Sequence, residues 1–194
     1  MKNYKKNKKL LEKSHIYNEQ DEHSSCGVGL IASLDGSETR DIVELGVQAL
    51  KVLYHRGAVD ADGKTGDGAG IQLSIPKKFF REKIERTGHQ PNEFPFGVGM
   101  IFLPRTDFSA QENARTIVES EILKEDLKIY GWRHVPINSS IIGDKAKATR
   151  PEIEQILICN EHYEKEKEFE NKLYLVRKRI EKEIRKQNIS DFYI

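Results

Sequence analysis

A glycine- and aspartate-rich block at residues 57–70 constrains the fold of this chain more than any other segment. Five of its 14 residues are glycine and three are aspartate, a composition that interrupts helices and strands and favours tight turns. The block leads into Ile71-Gln72-Leu73-Ser74-Ile75, an alternating apolar pattern typical of a strand. We therefore predict a loop of tight turns in which aspartate side chains accept hydrogen bonds from backbone amides.

This block does not fit three common ligand-binding loops. A phosphate-binding loop needs Gly-x-x-x-x-Gly-Lys-Ser/Thr followed by a helix, whereas this block is followed by a strand pattern. The glycines also lack the Gly-x-Gly-x-x-Gly spacing of a dinucleotide-binding turn. A calcium loop starting at Asp60 would place Lys64 at a ligand position, Thr65 at the required glycine and Ile71 at the closing glutamate. All three kinds of site are excluded.

Cys26 is the candidate nucleophile. It opens the apolar segment Cys26-Gly27-Val28-Gly29-Leu30, directly after a charged leader at residues 1–25 that we interpret as removable. If the bond between Ser25 and Cys26 is cut, one residue carries a thiol with an ordinary pKa of about 8.5 and an α-amine with a pKa of about 7.7–8.0. Nucleophile and general base would then share one residue, which suits acyl transfer. The structural alternative is a small cysteine that begins a buried strand.

The composition indicates a soluble domain with no charge-driven affinity for nucleic acid or membranes. The 32 basic and 31 acidic residues nearly cancel, and no apolar run resembles a signal peptide or a membrane span. Residues 1–13 contain six lysines and one glutamate, which predicts a disordered leader. Cys26 and Cys159 provide no disulfide framework, so we expect a cytoplasmic protein.

Hydrophobic periodicity predicts interleaved helices and strands, and by itself supports only a mixed α and β fold. The clearest helix start is Ser109-Ala110-Gln111-Glu112, a capping-box pattern. An irregular connection is expected at 137–150. We predict strands at 26–33, 70–75, 96–103 and 154–159, with a further strand beginning at Phe192, and helices at 38–54, at 77–86, after Ser109, and along the stripe Phe169, Leu173, Val176, Ile180 and Ile184.

Three motifs carry a resemblance to a known family: Cys-Gly-Val-Gly at Cys26, His-Arg-Gly-Ala at His55, and Ala-Asp-Gly-Lys-Thr-Gly-Asp-Gly-Ala-Gly at Ala61. Together they closely resemble the start of glutamate synthase large subunits, the class II glutamine amidotransferase (glutaminase) domain. The resemblance extends over about residues 21–194, and the long glycine-aspartate motif is its most specific part. It implies an α+β fold of the N-terminal-nucleophile hydrolase type, an αββα sandwich of which residues 26–194 would be the first half.

The resemblance also implies roles for individual residues. Cys26 would attack the side-chain amide of L-glutamine, while Arg56 would line the active site and Gly57 would allow close approach of the backbone. An arginine at a helix end can instead simply offset the helix dipole, and His55 is more readily explained as structural than as an acid or base. Trp132 and His134 are interpreted as packing residues. The glycine loop would lie beside the nucleophile and shape the glutamine pocket, with Thr65, Gly66 and Asp67 as substrate-binding residues.

For the complete enzyme the resemblance implies FMN, an iron–sulfur cluster, the remaining synthase domains and a small electron-transfer subunit, with ferredoxin or a pyridine nucleotide as electron donor. This chain is expected to bind no cofactor and no metal. The family's Arg-Phe-Ser-Thr-Asn and Asn-Gly elements, which hold the substrate carboxylate and form the oxyanion hole, are absent from the sequence. We therefore expect residues 1–194 alone to be inactive. The alternatives are a catalytically silent remnant or interaction module, and another class II amidotransferase.

Overall fold

The computed structural model describes residues 2–14, 27–161 and 165–194. The chain divides into two units: Met1–Val59 with Gly66–Ile71, and Asp60–Thr65 with Gln72–Ile194. Helices and one antiparallel sheet are both present, consistent with the expected α+β class. None of the helices in the described ranges is long and apolar enough to span a membrane.

The named secondary-structure elements in the described parts of the first unit are all helical. Helix α1 covers Lys2–Lys13 and helix α2 covers Arg40–Val52, after which Leu53–Arg56 form a 3₁₀ turn. A disordered leader is predicted, yet α1 lies within it, because the lysine, leucine and glutamate side chains of this segment favour helix. The strand predicted at 26–33 is wrong for residues 27–33. Val28 and Leu30 remain more than 90% exposed, and no described strand pairs with them.

The second unit is organised around a three-stranded antiparallel sheet. Its strands are β1 (Gly97–Leu103), β2 (Lys128–His134) and β3 (Glu152–Cys159), in the order β1-β3-β2. The sequence pattern does not predict β2. A bulge interrupts its alternation, since Ile129 pairs with Ile158 while Gly131 pairs with Leu157, and Tyr130 is left as the extra residue.

Two apolar clusters cover the two faces of this sheet. Residues Ile156 and Ile158 point into the larger cluster, together with helices α4 (Phe108–Leu123) and α6 (Glu166–Lys186). Leu157 and Cys159 point to the opposite face, where Phe80 and Ile84 of helix α3 (Lys77–Arg86) are buried. The alternation of side chains along β3 therefore holds helices on both sides of one sheet.

Two other local predictions need correction. Residues 70–75 contain no paired strand, and Ile71 and Leu73 are nearly half exposed. The connection predicted to be irregular contains a short helix, α5, at Asp144–Thr149. By contrast, the predicted bounds of α3 and the apolar stripe of α6 are confirmed.

The N-cap of α4 is Asp107 rather than the predicted Ser109. The Asp107 carboxylate accepts a hydrogen bond of 2.9 Å from the amide of Ala110, whereas Ser109 lies inside the first turn. Glu112, the expected capping partner, instead forms an ion pair with Arg115. A four-residue capping pattern can therefore match the sequence two residues away from the true N-cap.

We expect Asp107→Ala to destabilise the chain by about 0.5–2 kcal/mol, the usual cost of losing an N-cap oxygen. The matched variant Ser109→Ala should change the free energy of unfolding by less than about 0.5 kcal/mol. Urea denaturation followed by the fluorescence of Trp132, the single tryptophan, measures both. A larger loss of unfolding free energy in Ser109→Ala than in Asp107→Ala would indicate that Ser109, and not Asp107, is the N-cap.

Candidate functional site

The sequence-predicted site consists of Cys26 and a group of residues between Arg56 and Asp67. Cys26 lies outside the described residues. Of Arg56 we describe only the backbone, which ends the 3₁₀ turn Leu53–Arg56. His55 directly before it is exposed and its Nδ1 atom lies 3.0 Å from the carbonyl oxygen of Val52, a local contact typical of a structural histidine.

Within the first unit, the backbone that follows Arg56 meets the residues that follow Thr65. Val59 and Gly66 form an antiparallel bridge, and Asp67 Oδ2 accepts a hydrogen bond of 2.9 Å from the amide of Ala58. A Cβ on Gly66 would lie 3.3 Å from the carbonyl oxygen of Ala58, closer than most side chains tolerate. The predicted substrate-binding residues Gly66 and Asp67 are thus held next to the Arg-Gly element.

Gly57 shows no such crowding within the described residues. Its φ of −90° and ψ of 145° are extended backbone that any residue adopts, and its amide donates to the carbonyl of Tyr54 at 3.1 Å. A Cβ at this position would meet only Tyr54 O, at an ordinary 3.6 Å. The fold alone therefore does not require glycine here, and its role in substrate approach stays a prediction.

In the second unit, the Asp60–Thr65 turn is organised by Asp62. Asp62 Oδ1 accepts hydrogen bonds from the amides of Lys64 and Thr65 at 2.9 and 2.7 Å, and Oδ2 accepts from the Thr65 hydroxyl at 2.5 Å. The amide of Asp60 donates to the carbonyl of Thr65 at 2.7 Å and closes the turn. These contacts confirm the predicted turn in which aspartates bind backbone amides, and they fix the orientation of Thr65.

We expect the Asp62 carboxyl to titrate at about pH 2. The Thr65 hydroxyl, then the Thr65 and Lys64 amides, lower its pKa from the ordinary 3.8 to about 2. Because the pKa is lowered in the folded state, the carboxylate stabilises the turn above about pH 4 and loses this effect as the pH falls through about 2. NMR titration of the Thr65 amide measures the pKa, and Thr65→Val should raise it. An Asp62 pKa near 3.8 in the unsubstituted protein would contradict the hydrogen bonds.

Three residues of this region were not singled out from sequence as functional candidates: Asp62, Gly143 and Lys145. The spacing of Asp62 and Thr65 is a recognisable side-chain turn signature and could have identified the first. Gly143 and Lys145 lie about 80 residues away and contact the turn only in the folded chain. No group of three or more His, Cys, Asp or Glu side chains suited to a metal occurs in the parts of the chain that the structure describes.

Comparison with known proteins agrees with the motif-based resemblance. Residues 26–194 match the profile of the class-II glutamine amidotransferases. The chain is 52% identical over 191 residues to the glutamate synthase (NADPH) large chain of Azospirillum brasilense. It is 40% identical over 176 residues to ferredoxin-dependent glutamate synthase 2 of Synechocystis, and 38% identical over 171 residues to the glutamate synthase (NADPH) large chain of Bacillus subtilis.

These alignments cover most of this chain but a small part of each relative. They span 98%, 90% and 86% of the chain, against 13%, 11% and 11% of the three relatives. The chain therefore corresponds to about an eighth of the length of the curated relatives it matches. The names of those relatives include both NADPH and ferredoxin, so the likeness does not distinguish between the two electron donors.

Proposed function

Since the chain belongs to the class-II glutamine amidotransferase family, we propose that it is the glutaminase part of a glutamate synthase and releases ammonia from L-glutamine. This proposal rests on the family match, which begins at Cys26. Cys26 is the residue that the sequence indicates as the candidate nucleophile. The 52% identity to a glutamate synthase large chain supports the choice of glutamate synthase among class II amidotransferases.

In the proposed reaction the Cys26 thiol attacks the side-chain carbonyl carbon of glutamine. The free α-amine of Cys26 takes the thiol proton through a water molecule and passes a proton to the leaving nitrogen, so that ammonia departs as the carbon–nitrogen bond breaks. A glutamyl thioester remains. Water then attacks the thioester carbonyl, which releases glutamate and regenerates the thiol. The general base acts efficiently because the ordinary pKa of an α-amine lies close to neutral pH.

The residues around the nucleophile are proposed to bind glutamine. Arg56 would line the active site, where a guanidinium group suits a carboxylate or a reacting thiolate. Gly57, directly after Arg56, would allow close approach of the backbone to the substrate. Thr65, Gly66 and Asp67 would shape the pocket. Two hydrogen bonds support this proposal, because the one from Ala58 to Asp67 holds Asp67 in place and the one from Thr65 to Asp62 holds Thr65 in place before substrate binds.

The architecture proposed for the complete domain is the αββα sandwich of N-terminal-nucleophile hydrolases. The antiparallel sheet of the second unit, with α4 and α6 packed on one face, supports one sheet and one helical layer of that sandwich, whereas α3 lies on the opposite face, where the sandwich would have its second sheet. In the complete enzyme the ammonia would pass to 2-oxoglutarate at a site with FMN and an iron–sulfur cluster. With only two cysteines, this chain does not fit the cluster, which usually needs three or four thiolates.

We predict that the active protein has lost residues 1–25. The α-amine of Cys26 serves as base only when the bond to Ser25 is broken, because an amide nitrogen is not basic. Cys26 itself could cleave this bond by attacking the preceding carbonyl. Intact-mass measurement of purified protein that hydrolyses glutamine checks the prediction. A fully active form that retains residues 1–25 would contradict the mechanism, and absence of glutamine hydrolysis after removal of residues 1–25 would favour a silent remnant of the fold.

A further inference from the structure

The Asp60–Thr65 turn lies against the start of helix α5, and the contact is made at Gly143. Gly143 is buried and is the N-cap residue of α5. A Cβ built on it would lie 2.1 Å from Asp62 Oδ2 and 2.2 Å from Thr65 Oγ1, far inside van der Waals contact. Its φ of −71° and ψ of 166° suit any residue. Glycine is therefore required here for space and not for backbone conformation.

The two atoms that a Cβ would meet cannot simply rotate away. Asp62 Oδ2 and Thr65 Oγ1 are hydrogen-bonded to each other, and Asp62 Oδ1 holds the amides of Lys64 and Thr65. Moving the carboxylate breaks all three of these hydrogen bonds, which define the turn. A side chain at position 143 must therefore either open the turn or displace it from α5.

An ion pair provides a second, weaker link between the same elements. Lys145 Nζ lies 2.6 Å from Asp60 Oδ2, and the two side chains are 68% and 33% exposed. Pairs this exposed contribute little because solvent screens them. Lys147, on the same helix, instead pairs with Asp144 of α5 itself, and so serves as a matched lysine that does not touch the turn.

We propose that Gly143 is a positioning residue for the glutamine pocket, with Lys145 in a secondary role. Because Gly143 has no side chain, the hydrogen-bonded side chains of Asp62 and Thr65 can lie directly against its backbone. This contact fixes the position of the turn and hence of Thr65. This inference rests on the proposed function, since it takes Thr65 as part of the glutamine site. Gly143 lies in residues 137–150, for which the sequence predicts only an irregular connection and no role in the pocket.

The test is to place Gly143→Ala and Gly143→Ser in the complete protein. Serine is a better N-cap than glycine or alanine, so a defect shared by both variants cannot come from lost helix capping. We expect hydrogen exchange at the amides of Lys64 and Thr65 to accelerate, and the KM for glutamine to rise about tenfold or more with a smaller change in kcat. Lys145→Ala should raise KM by about two- to threefold, and Lys147→Ala should not raise it.

The outcomes separate this inference from the proposed function. Unchanged exchange at Lys64 and Thr65 in both Gly143 variants would overturn the contact. Faster exchange with an unchanged KM for glutamine would overturn the positioning role. Absence of glutamine hydrolysis in the unsubstituted protein would contradict the proposed function, while the exchange measurement still decides whether Gly143 holds the turn. Hydrogen exchange at the backbone amides of the buried strand β3, measured on the same preparations and expected to stay unchanged, controls for loss of the fold of this chain.

Discussion

Replacing Cys26 by alanine in the complete protein is expected to lower glutamine-dependent turnover by at least about 10³-fold, because removal of the attacking atom of a covalent mechanism leaves only residual catalysis. Ammonia-dependent glutamate formation should persist, since it does not require release of ammonia from glutamine. Glutamate production is measured with glutamine and with an ammonium salt in parallel. Normal glutaminase activity in Cys26→Ala would remove the basis for the proposed function.

The chain provides its own control thiol in Cys159. Cys159 is 4% exposed, and burial raises the pKa of its thiol. Its sulfur accepts a hydrogen bond from Asn92 Nδ2 at 3.5 Å. A buried thiol with a raised pKa forms little thiolate and reacts slowly. Cys159→Ala should therefore retain glutamine turnover, and a glutamine analogue carrying a thiol-reactive group should label Cys26 and leave Cys159 unmodified.

Replacing Arg115 by methionine is expected to destabilise the chain by about 3–5 kcal/mol, because it leaves the buried carboxylate of Glu154 without its partner. Arg115 on α4 donates to both carboxylate oxygens of Glu154 on β3, at 2.9 and 2.8 Å, and Glu154 is 3% exposed. The same hydrogen bonds raise the pKa of Arg115. His134 Nδ1 lies 3.3 Å from this carboxylate, but its side chain is 75% exposed, so arginine makes the buried contact. A loss of this size is a large part of the usual stability of a domain.

Two matched variants decide whether burial is the cause. Glu112 pairs with the same arginine at the surface and its side chain is 74% exposed, so Glu112→Ala should cost less than about 1 kcal/mol. The double variant Arg115→Met/Glu154→Met should recover most of the stability, because no unpaired charge is left in the interior. Urea denaturation followed by Trp132 fluorescence compares all three. If Arg115→Met costs no more than Glu112→Ala, the buried pair does not stabilise the fold.

Several local elements could be predicted from sequence because their signals lie within a few neighbouring residues. Helix α3 at Lys77–Arg86 has the predicted bounds, and the stripe from Phe169 to Ile184 is the buried face of α6. Such periodicity reports which residues of one helix share a face, and burial of that face stabilises the helix. The same short-range signals failed at the N-cap of α4, where Asp107 and Ser109 are both residue types that suit the position, and in the folded chain Asp107 accepts the hydrogen bond from the amide of Ala110.

By itself, the sequence determined the family, the candidate nucleophile Cys26, and the turn chemistry of the glycine-aspartate loop, because motif spacing and local hydrogen bonding depend on residues close along the chain. Only the tertiary structure decided the pairing of β2 with β3 across a bulge, the burial of Glu154 against Arg115, and the contact of Gly143 with Asp62 and Thr65. Each of these joins residues that lie between 20 and 81 positions apart, where neither periodicity nor propensity carries a signal. At Gly143 the neighbouring atoms leave no room for a Cβ, and this restriction arises only when the folded chain places α5 against the Asp60–Thr65 turn.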